Sequence, residues 1–207
     1  MHTEKIIRSD KYNSILTAAG AVFAKFGFHK STIAQIAAEA GVADGTIYLY
    51  FKNKEDILYQ FLNYKTEIVF KEMRKAVNSN ENAEIRLKNL IRSHLREFQN
   101  DRDMAVVFQS EVRYIRDIAP QIKNIARMYL DLLTEIIEQG QIEGTIRQDL
   151  FMGVVKQYIL GAVEGVINTW LTAGSKYDLT SMADPLVDLY LRGIESRESR
   201  PALKDGF

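Results

Sequence analysis

Residues 31–54, STIAQIAAEAGVADGTIYLYFKNK, read as a helix, a tight turn, a short second helix and an aromatic, basic exit. Thr32 stands where a first-helix cap belongs, with Gln35 three residues on in capping-box position. Ile33, Ile36, Ala37 and Ala40 give that helix an apolar face, and its alanines leave room for a neighbouring helix to come close. Gly41 is expected to end it in the left-handed conformation that glycine adopts at little cost. Val42 fills the corner, and Asp44 is placed to cap a second helix over 45–50. Ile47 and Phe51, four apart, are expected to face inward, leaving Thr46, Tyr48 and Tyr50 outward. Outward aromatic hydroxyls on two helical turns do nothing for folding, but they suit thymine methyls and phosphate oxygens.

Lys52 and Lys54 flank Asn53, which can cap the next helix with Asp56 three residues later. A lysine in the first turn of a helix opposes the helix dipole, and an arriving DNA phosphate would remove the conflict. By spacing alone the segment also fits an ordinary helical hairpin with a small-residue turn, since helix-glycine-helix patterns are common.

Wider features narrow the choice. The chain has 207 residues, 46% of them hydrophobic, with three prolines and no alternating apolar stretch, which predicts an all-α protein. Net charge is zero, yet 1–54 hold seven Lys/Arg against four Asp/Glu, a net +3 beside a body of net −3. A basic end on an acidic body suits one-ended docking to DNA, with salt-dependent affinity. Cysteine is absent, which excludes disulfides and thiolate zinc sites. The N-terminal MHTEKIIRSD lacks the apolar run of a signal peptide, and the most apolar stretch, 158–171, is shorter than a membrane span; both point to the cytoplasm. His2, His29 and His94 are widely separated, and no Gly-x-Ser-x-Gly, phosphate-loop or His-Glu-x-x-His pattern occurs, which argues against an enzyme.

The matching pieces Ile36-Ala37, Ala40-Gly41-Val42, Gly45 through Phe51 and Lys52-Asn53-Lys54-Glu55, preceded by Phe26-Gly27-Phe28-His29-Lys30-Ser31-Thr32, resemble the DNA-binding signature of the TetR family of bacterial one-component regulators. The resemblance implies DNA contacts at Thr32, Gly45, Thr46, Tyr48, Tyr50 and Lys54, and no catalysis. Asp44 and Lys52 complete the candidate set, with Asp44 divided between capping and base reading.

The rest of the chain reads as helices over 12–26, 54–77, 83–99, 104–115, 120–137, 149–172 and 181–194, nine in all with the helix-turn-helix pair. Asp149 is the expected cap of the eighth, and 140–144 a turn. In the fourth, Ile57, Leu58, Phe61 and Leu62 point to one core and Ile68, Val69, Met73 and Val77 to a second, so one helix belongs to both. The division is a helix-turn-helix domain over 1–54, a helical effector-binding and dimerisation domain over 55–196, and a polar tail over 197–207. Gly161 and Gly165 share a face of the eighth helix, and Leu186, Leu189, Tyr190 and Ile194 form a stripe on the ninth. These helices resemble the family's four-helix dimer interface; spacing alone also allows an intrachain contact. A homodimer reading a pseudo-palindrome needs half-sites about 34 Å or more apart.

For the effector, Phe98, Met104, Val107, Phe108, Tyr129, Leu133, Tyr158 and Trp170 are candidate pocket residues, with ordinary core packing as the alternative. Arg113, Arg116, Lys123 and Arg127 form a cationic group, either a solvated surface or the mouth for a phosphorylated ligand. Val42 through Leu58, Gln109-Ser-Glu-Val-Arg113, Thr169-Trp170 and Ser175-Lys-Tyr-Asp-Leu179 resemble the branch of the family that represses fatty-acid degradation in Gram-positive bacteria. That implies a long-chain acyl-CoA effector that releases the operator, with the chain threaded among the fifth to eighth helices. A multidrug-efflux repressor using Glu111, Glu164 and Trp170, and a helical lipid carrier, are the competing readings.

Overall fold

The computed structural model describes residues 10–77, 81–111 and 119–192. Arg113, Arg116, Ile194, the polar tail and the side chains of Glu111, Ile122 and Lys123 lie outside the described residues. Among those described, every regular element is a helix: α1 (Asp10–Phe26), α2 (Ile33–Ala40), α3 (Asp44–Ile47), α4 (Lys54–Val77), α5 (Ala83–Asn100), α6 (Arg102–Glu111), α7 (Ala119–Ile142), α8 (Met152–Thr172) and α9 (Ala183–Arg192), with a 3-10 turn at Leu179–Met182. None of the described helices is long and apolar enough to cross a membrane.

The N-terminal unit packs α1 against α2, α4 and α6. Ile15, Leu16, Val22 and Phe23 of α1 meet Ile36, Ile47, Phe51, Ile57 and Leu58, all buried. Gly20 lets α1 and α4 cross closely, because a Cβ there would sit 2.6 Å from the Phe61 ring. α4 then runs on into the body, where Val69, Phe70, Met73 and Val77 are buried. Ile68 is an exception to the expected second core: it is exposed, because it falls one residue off the stripe that Val69 and Met73 define.

α5 is the axis of the body, in contact with α4, α6, α7, α8 and α9. Its stripe of Leu87, Leu90, Ile91, Leu95 and Phe98 is buried, as its spacing predicts. Asn82 caps it by accepting from the Ile85 amide at 3.0 Å. At its far end, Asp101 accepts from the Met104 amide at 2.9 Å and so starts α6. The same carboxylate holds Lys65 of α4 at 2.6 Å, tying the shared helix to the α5–α6 corner. Asp184 at the start of α9 meets Arg92 and Lys88 of α5 at 2.7 and 3.1 Å.

Two helix ends differ from expectation. α7 continues to Ile142, so Gly140 lies inside it; the Gly140 carbonyl accepts from the Thr145 and Ile146 amides, and Ile146 folds back over it. The reversal comes at Gly144, whose φ is +73°. Asp149 does not cap α8: the cap position is Phe151, without a side-chain bond, and Asp149 lies exposed beside Arg147 at 3.5 Å.

Candidate DNA-reading face and effector core

The helix-turn-helix is held from several sides. Thr32 Oγ1 accepts from the Gln35 amide at 3.2 Å while Gln35 Oε1 accepts from the Thr32 amide at 2.9 Å, a reciprocal capping box. Gly41 takes φ +66°, and the Val42 amide reaches back to the Ala37 carbonyl at 2.9 Å. Tyr12 of α1 stacks on Phe51 with ring centroids 5.0 Å apart, and its hydroxyl donates to Gln60 at 3.2 Å. Burial, with Asp56 and Glu67 nearby, pushes the Tyr12 hydroxyl up to about 12. It stays a neutral donor.

α3 is shorter than the expected helix over 45–50. Regular α geometry ends at Ile47, and the chain continues in i to i+3 turns, with Leu49 and Tyr50 amides on the Thr46 and Ile47 carbonyls. Asp44 does not cap it either. The cap position is Ala43, with no side-chain bond, and Asp44 is the exposed first helical residue. Its carboxylate is thereby turned outward.

Ile47 and Phe51 are buried, as their spacing predicts. Tyr48 is 60% exposed and Leu49, between the tyrosines, 77%. Thr32, Asp44, Gly45 and Lys52 are exposed and Thr46 is half-buried. A Cβ on Gly45 would meet nothing within 4 Å, so nothing in the chain itself requires a glycine there. Tyr50 departs from the outward reading: it is half-buried, edge-on to Tyr12 at 6.3 Å. Leu49 is the residue the sequence reading passed over. Its signal was present, because two residues from buried Ile47 it cannot share that inward face.

Lys54 departs further. Its ammonium donates to the carbonyls of Phe28 and Ser31, each at 2.8 Å, and of His29 at 3.3 Å, and lies 4.6 Å from the Phe28 ring centroid. Three protons thus face three carbonyls of the α1–α2 connection. The dipole conflict expected to attract a phosphate is met inside the chain. Asn53 caps α4 as predicted, accepting from the Asp56 amide at 2.8 Å, and Asp56 in turn accepts from the Lys52 amide at 2.9 Å.

In the body, Phe98, Met104, Val107, Tyr129, Leu133 and Trp170 are all buried and Phe108 half-buried. Phe98 meets Phe108 edge-on at 5.8 Å and His94 at 4.8 Å. Trp170 donates its indole N–H to the Tyr177 carbonyl at 2.9 Å, anchoring the segment after α8. Tyr158 is not an interior residue: it is 58% exposed and packs edge-on against Tyr190 at 5.4 Å. Arg127 is exposed on α7.

Tyr158 shares the outer face of α8 with Val154, Gly161 and Gly165. A Cβ on either glycine would meet nothing within 4 Å. Leu189 of α9 is exposed as well. Leu186 instead turns inward and is buried within the protomer, and Tyr190 ties α9 to α8 by donating to the Ile159 carbonyl at 3.0 Å.

Comparison with known proteins agrees with this architecture. Residues 15–60 match the family of bacterial regulatory proteins described as the tetR family, and residues 62–193 match the YsiA-like protein C-terminal region. The chain is 35% identical over 188 residues to the fatty acid metabolism regulator protein of Bacillus subtilis, covering 90% of this chain and 97% of that one. It superposes on the crystal structure of the transcriptional regulator FadR from Bacillus subtilis in complex with stearoyl-CoA, with TM-score 0.83 and 34% identity over 89% of this chain and all of that one. The fatty acid degradation regulator FadR from Bacillus halodurans gives TM-score 0.82 and 36% identity over the same 89%, again across its full length. With both domains matched and an outward aromatic face on its helix-turn-helix, the chain belongs to the tetR family of bacterial regulatory proteins, and is a transcriptional regulator rather than an enzyme.

Proposed function

We propose that the protein is a cytoplasmic repressor of fatty-acid metabolism genes that binds a pseudo-palindromic operator as a homodimer and releases it when a long-chain acyl-CoA enters the body. The observation that carries this reading is the 35% identity to the Bacillus subtilis fatty acid metabolism regulator across both domains, together with the stearoyl-CoA held by a structural relative. The buried aromatic and aliphatic interior between α5, α7 and α8 is of the chemistry an acyl chain needs.

On the DNA side, Tyr48 and Leu49 read base edges and thymine methyls in the major groove. Gly45 admits close backbone approach, and Thr32, Thr46 and Lys52 bind phosphates, with Asp44 at the rim. Tyr50 ties the segment after α3 to α1 through its packing on Tyr12. The dimer forms on the outer face of α8, where Val154, Tyr158, Gly161 and Gly165 meet their symmetry mates with Leu189 of α9 alongside. Small residues there let two copies of α8 approach closely. The effector acts by linkage: it prefers a body conformation in which α4 and its DNA-reading end are misplaced, so operator affinity falls by the ratio of ligand affinities for the two states.

Native mass spectrometry tests the assignment. A dimer that takes up one stearoyl-CoA per protomer is expected. A dimer that ignores acyl-CoA but retains an efflux-type drug would refute the ligand and keep the regulator.

A further inference from the structure

Among the described residues, the body holds two buried polar atoms without a hydrogen-bond partner: His94 Nδ1 on α5 and the Tyr129 hydroxyl on α7. The residues are 6% and 4% exposed, and their rings stand 5.2 Å apart. Phe98 also packs on the imidazole, with ring centroids 4.8 Å apart. Buried polar groups in native proteins are almost always paired, and leaving one unpaired costs about 1–3 kcal/mol. Two buried hydroxyls obey that rule, Ser31 donating to the Gly27 carbonyl at 2.7 Å and Thr66 to the Leu62 carbonyl at 2.6 Å, and the remaining orphan, Asn13 Oδ1, belongs to a half-buried residue of α1, outside the body. Two adjacent orphans at mid-helix, on the axis of the body, mark a place where an outside atom is expected.

The chemistry of that atom is constrained. Burial lowers His94 to about 4 and raises Tyr129, so both are neutral at physiological pH. A neutral imidazole and a neutral phenol can hydrogen-bond a neutral oxygen. They cannot compensate a buried carboxylate or ammonium, which needs an opposite charge. The site therefore fits a thioester carbonyl and disfavours the ionised head of a free fatty acid.

We propose that His94 and Tyr129 bind the carbonyl oxygen of the acyl thioester, the Tyr129 hydroxyl and His94 Nδ1–H both donating to it, and so select acyl-CoA over the free acid. This rests on the acyl-CoA reading above. The α5 and α7 neighbours of the pair, Leu90, Ile91, Leu95 and Leu132, are buried and apolar, which suits the acyl chain running on from one polar contact.

The test compares stearoyl-CoA with S-octadecyl-CoA, a thioether of similar length that lacks the carbonyl oxygen, by calorimetry on the full-length protein. The wild type is expected to bind the thioester about tenfold more tightly, equivalent to about 1.4 kcal/mol. Tyr129→Phe, which keeps the ring, should weaken the thioester by a similar factor and leave the thioether unchanged. Equal wild-type affinity for both ligands overturns the proposal without needing any variant. So does a Tyr129→Phe protein that loses both equally, which means packing, or neither, which means a trapped water satisfies the pair. If the wild type binds neither ligand, the acyl-CoA reading itself fails, an outcome distinct from the others.

Discussion

Replacing Lys54 by Met separates a structural lysine from a phosphate-binding one. Met keeps the aliphatic stem against Phe28 but removes the ammonium and its bonds to the Phe28, Ser31 and His29 carbonyls, at 2.8, 2.8 and 3.3 Å. In a dry site each charged hydrogen bond is worth about 1.5–3 kcal/mol. Lys54 is only half-buried, and carbonyls at its edge regain water, so about 1 kcal/mol for each of the two short bonds is a fair figure. Loss of the cation over Phe28 adds about 0.5 kcal/mol. Removing a positive charge from the first turn of α4 returns about 0.5 kcal/mol. The net loss is about 2 kcal/mol, or a fall of about 4–8 °C in Tm for a chain of this size. The assay pairs thermal denaturation with operator binding measured across a salt series. A lost phosphate contact reduces the slope of log K against log salt by about 0.9 for each protomer, about 1.8 for a dimer on its operator. The structure predicts a lower Tm and an unchanged slope. An unchanged Tm with a slope reduced by about two would refute the reasoning and return Lys54 to the DNA.

Other expectations are as direct. Tyr48→Ala, at a 60% exposed side chain, should leave Tm within about 1 °C, consistent with an exposed site free of special features. It should weaken the specific operator about tenfold or more in an anisotropy titration; full retention of operator binding would remove Tyr48 from the DNA contacts. Gly161→Arg places a side chain in open space on the protomer and improves helix propensity by about 0.8 kcal/mol, so the chain should fold while light scattering reports a monomer; a dimer of unchanged mass would remove the outer face of α8 from the interface. His94, held at about 4 against a normal 6.5, binds fewer protons folded than unfolded, so stability rises with pH through that window and is lost as pH falls from about 6.5 to 4. The loss reaches about 3 kcal/mol, and the denaturant-stability difference between wild type and His94→Leu should be flat above pH 6.5 and change only below it.

Much of the architecture was legible from periodicity and punctuation. The stripes of α1 and α5, the Thr32 and Asn53 caps and the left-handed Gly41 all follow from local rules that a short window contains. What escaped the sequence depended on partners far along the chain. Lys54 looked exposed because its acceptors lie 23 to 26 residues earlier. Tyr50 looked outward because Tyr12, the ring it leans on, sits on a different helix. Asp44 and Asp149 had cap-like side chains at plausible helix starts, but α3 begins at Asp44 itself, with its cap at Ala43, and α8 at Met152, with its cap at Phe151. In the body, apolar spacing found the buried residues yet could not separate an inward Leu186 from an outward Tyr158. Both lie on helical stripes, and only the crossing of α8 and α9 decides which side faces the core. The His94–Tyr129 pair illustrates the same limit: 35 positions separate the two residues, and neither is distinctive alone.

The central claim is that an acyl-CoA in the body controls DNA binding at the other end of α4. The most direct measurement takes a duplex selected from random sequence by the protein, labels it, and titrates its complex with stearoyl-CoA below the concentration at which that ligand forms micelles. The account predicts release of the duplex at about one ligand per protomer, with octanoyl-CoA or free CoA far weaker. A complex that survives saturating stearoyl-CoA, in a protein shown by mass spectrometry to have bound it, would contradict the account.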